Sequence, residues 1–138
     1  MQNRPAYEIA AGSFVAAMLD GRRTLCLKAE RLGKEHTNHF LVPLDPVDDR
    51  ARLALLYIDP NQELVQVDGV HLDFQDGPSE TAPVVGDAFI NDSGTMLKLL
   101  DDPHSQRLHC YVDLTTGMVR ARMERQIRRL LSWSVGRV

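Results

Sequence analysis

A mainly β domain of short antiparallel strands is the fold class this sequence predicts, and three observations predict it. Apolar and polar residues alternate: Leu108, Cys110 and Val112 oppose His109, Tyr111 and Asp113, and Val119, Ala121 and Met123 oppose Arg120, Arg122 and Glu124. A period of two places successive side chains on opposite faces of a half-buried sheet. Turn-forming residues punctuate the chain, so that short runs follow one another at spacings of roughly 8 to 12 residues. The chain is 138 residues long, 43% hydrophobic and 25% charged, the size and balance of one folded domain with a real core. A meander of this kind closes into a small barrel or folds into a sandwich.

The elements follow in order. "SFVAAMLDGRRTLCLKAE" reads as two strands joined by Asp20-Gly21, a pair that tolerates positive φ at both central positions of a type I′ turn. Gly33-Lys34-Glu35 then makes a turn before "TNHFLVPL", where Pro43 marks a sheet edge or strand end. "RLALLYIDPNQELVQVDGVHLDF" repeats the pattern around a turn at Asp59-Pro60-Asn61-Gln62 and a corner at Asp68-Gly69. Residues 75–87, "QDGPSETAPVVGD", carry no periodicity and form the long loop where an internal boundary of the 1–138 domain would fall. Strands around the Asp92-Ser93-Gly94 corner, the Pro103-His104-Ser105 turn and the Thr116-Gly117 corner complete the β region. At the C-terminus Met123, Ile127, Leu130 and Leu131 share one helical face and Arg125, Arg128, Arg129 and Ser132 the other, which predicts a short amphipathic helix. The alternation of Leu131, Trp133 and Val135 offers a final strand instead.

An internal echo at an offset of 70 residues links Leu27-Lys28 to Leu97-Lys98, His39 to His109, Val42 to Val112, Leu44 to Leu114 and Arg50-Ala51-Arg52 to Arg120-Ala121-Arg122. Two related β-units would place these residues at equivalent positions across a pseudo-two-fold axis.

Charge is uneven. Residues 1–106 hold nine Lys/Arg against seventeen Asp/Glu, and residues 107–138 hold seven Arg against Asp113 and Glu124. An overall pI near 5.9 with one Trp and three Tyr argues against a nucleic-acid partner, and points the basic end toward an acidic protein face or a second copy of the chain. The longest apolar run, Ile9 to Leu19, is about half a membrane span, and the charges around it do not fit a secretory leader, so a cytoplasmic protein is expected. Cys26 and Cys110, without CxxC spacing, read as buried thiols packing as small hydrophobes.

Three sets of residues carry candidate chemistry. Asp92-Ser93-Gly94-Thr95 resembles the tetrapeptide on which aspartic proteases hold a catalytic carboxylate, and a dimer would supply the second Asp92. The same four residues compose an ordinary hairpin corner. His71 and Asp73, two apart, share a strand face and with His36 or His39 make the best metal set; the alternative is solvent-facing histidines. Asp101, Asp102, His104 and Ser105 include the residue types of a hydrolytic triad but lie together in one polar turn. Nucleotide-binding glycine motifs, EF-hand spacing and zinc-type cysteine pairs are absent, so no cofactor is expected.

The expectation is a non-enzymatic protein-interaction or assembly module that forms a homo-oligomer or binds an acidic partner through Arg120, Arg122, Arg125, Arg128 and Arg129. The alternatives are a barrel that binds a small ligand, and a dimeric aspartic-protease-like or His/Asp metal-dependent hydrolase.

Overall fold

The computed structural model describes residues 3–77, 82–122 and 127–138. Twelve strands form two antiparallel six-stranded sheets. The first contains β1 (Asn3–Pro5), β2 (Phe14–Leu19), β3 (Arg22–Leu32), β4 (Thr37–Asp45), β5 (Leu56–Ile58) and β6 (Glu63–Gln66), in the order β1-β6-β2-β3-β4-β5. The second contains β7 (Val70–Asp76), β8 (Ala88–Asn91), β9 (Gly94–Leu100), β10 (His109–Asp113), β11 (Val119–Arg120) and β12 (Ile127–Arg137), in the order β7-β12-β8-β9-β10-β11. Single 3-10 turns occupy Ala6–Glu8 and Arg50–Arg52.

Local chemistry accounts for the corners. Asp20 and Gly21 both have positive φ, 51° and 75°, so β2 and β3 meet in the tight hairpin that these residues permit. Asp59 accepts from the amides of Asn61 and Gln62 through its side chain and backbone. Pro43 lies within β4, opposite Cys26 at a register shift, and β5 covers only His39 to Leu41 of that strand, so Pro43 is beyond its last partner on that side.

Two expectations are corrected. Neither sheet closes into a barrel among the described residues: one ends in β1 and β5, the other in β7 and β11. Among the described residues the expected C-terminal helix is not formed, and Ile127–Arg137 is strand β12. Period two prevails there because β12 lies between β7 and β8, with faces covered on both sides. Leu131 and Trp133 enter the main core, while Leu130 points into a separate cluster with Phe89 and Met96. Met123 and Arg125 of the expected helix lie outside the described residues.

The main core is shared between the sheets. It joins Leu27, Ala29, Phe40, Val42 and Leu44 of the first to Leu97, Leu99, Cys110, Val112, Leu131 and Trp133 of the second. The opposite face of each sheet has its own cluster: Val15, Cys26 and Leu41 in the first, Phe89 and Met96, with Tyr111 against them, in the second. Strands β3, β4 and β9 therefore place apolar residues on both faces, which masks simple alternation in their sequences, whereas β10 keeps it.

The strand part of the 70-residue echo falls on matching strands in matching register, whereas Arg50-Ala51-Arg52 forms a 3-10 turn and Arg120-Ala121-Arg122 runs out of the end of β11, so that triplet is not structurally equivalent. Leu27 pairs with Val42 in β3–β4, and Leu97 pairs with Val112 in β9–β10. The match extends past the identities. Gly12 (φ 92°) donates to the carbonyl of Lys28 and Gly86 (φ 94°) to that of Lys98; Lys28 and Lys98 return their amides to Ser13 and Asp87. The Nζ of Lys28 reaches the carbonyl of Ile9 and that of Lys98 the carbonyl of Pro83. Where the sheets meet, Glu30 N donates to Gly117 O and Leu100 N to Leu53 O, a reciprocal pair. Arg31 faces Asp101, the residue 70 positions on, at 2.5 Å.

Candidate functional site

The residues expected to carry catalysis are occupied in turns and ion pairs. Asn91, not Asp92, builds the β8–β9 corner: its Oδ1 accepts from the amides of Ser93 (2.8 Å) and Gly94 (3.1 Å). The Asp92 carboxylate sits at that corner, 2.5 Å from Nε of Arg128. Asp102 Oδ1 accepts from the His104 amide and Ser105 Oγ from the amides of Arg107 and Leu108, while Asp101 is held by Arg31, so the triad-like residues serve their own loop and its neighbour.

His71 Nε2 and Asp73 Oδ1 are 3.1 Å apart on an exposed face of β7. His36 lies in the β3–β4 turn and His39 is buried on β4. Among the described residues no three His, Cys, Asp or Glu side chains converge as a metal would need, so this set is not assembled. Of the five arginines, Arg128 pairs with Asp92 and Arg129 with Asp76, Arg120 and Arg122 are exposed around the end of β11, and Arg125 lies outside the described residues.

A buried polar cluster escaped the sequence reading. Lys28 is fully buried, and its ammonium meets the Ile9 carbonyl (3.2 Å), Glu30 Oε2 (2.8 Å) and His39 Nδ1 (2.9 Å), one acceptor for each of its three donors. To accept, Nδ1 of His39 carries no proton, and burial together with the adjacent ammonium holds this imidazole below its ordinary pKa, against the pull of Glu30. The available signal was Lys28 and Glu30, two apart on one face of an apolar strand, opposite His39. Burial pushes both cysteine thiols up to about 12, so they are packing groups.

Laying one sheet on the other exposes two places where the first is longer. Beyond the pair Ala17↔Thr24 the first hairpin has six residues, Met18 to Arg23; beyond Asn91↔Gly94 the second has two. Between Leu44 and Leu53 lie eight residues, whereas between their counterparts Leu114 and Gly117 lie two. Both insertions line one open cleft of about 550 Å3. Leu19, Asp20 and Arg22 come from the hairpin, and Pro46, Val47, Asp48, Asp49 and Arg52 from the longer loop, over a floor that includes Thr24, Pro43, Leu53 and Leu56.

The loop is pinned at several points. Asp45 binds Arg137 of β12 at 2.6 Å, and Asp49 Oδ1 caps the 3-10 turn at the amide of Ala51. Arg50 stacks on Trp133 with its guanidinium carbon 3.8 Å from the ring centroid and donates to the Trp133 carbonyl, while the indole N–H donates to Gly86 O. Arg22 Nη1 reaches Asp48 Oδ1 at 3.2 Å and bridges the two insertions.

These features define a small mainly β protein of two like-ordered sheets, with a cleft built on one of them. No protein-family model, curated protein or solved structure matches the chain.

Proposed function

We propose that this chain is a non-enzymatic binding module made of two related β-units, in which the first unit carries the binding site and the second braces it. The supporting observation is that both insertions by which the first sheet departs from the second line the same cleft. Its volume of about 550 Å3 matches the clefts that hold drug-sized ligands. Bracing by Arg50, Trp133, Asp45 and Arg137 fixes the walls in advance, which lowers the ordering cost of binding. Assembly with an acidic partner is a second reading, favoured by the exposure of Arg120 and Arg122 around the end of β11.

The test is a fragment screen read by amide chemical shifts of the isotope-labelled chain. Hits that perturb Leu19, Val47, Leu53 and Leu56 together support the cleft. Hits that map instead to the surface around Arg120 and Arg122 reject it as the principal site.

A further inference from the structure

We infer that the cleft takes a small organic monoanion, an apolar body bearing one carboxylate, with Arg22 and Arg52 as its anchors and Asp48 as a built-in competitor for Arg22. This rests on the cleft being the binding site. The walls and floor supply the apolar surface through Leu19, Pro43, Pro46, Val47, Leu53 and Leu56. Two guanidinium groups supply the polar contacts. Among the described residues the Arg52 guanidinium has no hydrogen-bond or ion-pair partner. Arg22 has one, the single 3.2 Å contact to Asp48, with side chains 55% and 87% exposed.

A one-point contact between well-solvated groups is weak, and a guanidinium has five donors in a fork suited to a carboxylate. A ligand carboxylate desolvated against the cleft wall therefore displaces Asp48 from Arg22, and Asp48 stands in for it when the cleft is empty. The sign of the ligand is restricted by what else is present. Asp20 and Asp49 also line the cleft, so a second negative charge on the ligand meets repulsion, and the Asp49 carboxylate is already engaged by the Ala51 amide. One carboxylate, not a phosphate dianion, fits this balance.

The experiment titrates the full chain with 4-phenylbutyrate and, separately, with its neutral amide, following amide shifts at low salt. The acid is expected to bind in the cleft at least about tenfold more tightly than the amide, as a charge-assisted pair requires. Arg22→Gln and Arg52→Gln each weaken the acid severalfold and leave the amide unchanged. Asp48→Asn strengthens the acid severalfold, the opposite direction from losing a structural contact. Equal binding of acid and amide in the cleft overturns the monoanion and leaves the cleft standing. Weaker acid binding by Asp48→Asn overturns the competitor role. Shifts outside the cleft with both compounds, or no shifts within it, overturn the cleft reading itself.

Discussion

Lys28 shows how a buried charge is held. With Ile9 O, Glu30 and His39 around it the ammonium is fully satisfied, and no buried side-chain N or O lacks a partner among the described residues. Lys28→Ala leaves Glu30 and the Ile9 carbonyl without their donor, and a loss of about 3 kcal/mol in urea unfolding is expected. The cluster also sets a pH response. His39 has a folded pKa below its unfolded 6.5, so the unfolded chain takes up the proton first as pH falls. Stability is full above pH 6.5 and declines as pH drops from there toward the folded pKa. His39→Gln, which cannot charge, flattens that slope; a slope that persists unchanged in the variant rules out His39 as its source.

At the level of elements, β12 turns on one aromatic residue. Trp133 is 4% exposed, stacks under Arg50 and donates to Gly86 O. Trp133→Ala should cost about 4 kcal/mol, and Trp133→Phe, which keeps most of the ring but loses the indole donor, about 1 kcal/mol. The β2–β3 hairpin depends on backbone instead: a Cβ on Gly21 meets nothing, so Gly21→Ala measures the cost of φ 75° alone, about 1 kcal/mol by thermal unfolding. Such turns were legible because Asp-Gly and Asx corners act locally. β12 was ambiguous because Leu130, on the second cluster's face, completes a helical stripe with Ile127 and Leu131, and only packing on both sides of the sheet explains it. The cleft left no local trace, since its insertions are recognised only when one sheet is compared with the other.

For the whole molecule, the same comparison turns the 70-residue echo into a statement about assembly. Matching registers, the glycines at φ 92° and 94° and the reciprocal bonds at Gly117 and Leu53 are shared by two sheets of the same strand order, and they support the proposed reading as two related units. Reversing one charge of this pair, by Arg31→Asp, is expected to destabilise the chain by about 1 kcal/mol, and adding Asp101→Arg to restore most of it. A double variant no more stable than Arg31→Asp alone would show that the pair has no specific coupling.

The pairing of Arg31 with Asp101 has a further consequence for how such a chain is divided. On a true two-fold axis a residue faces its own copy, so two first halves would set arginine against arginine and two second halves aspartate against aspartate. If the two units are related as proposed, each half matches the other and mismatches itself at this position. On the proposed reading the repeat is a hetero-pair joined at residues 67–69, and co-expressed halves are expected to assemble one to one where either half alone does not self-assemble.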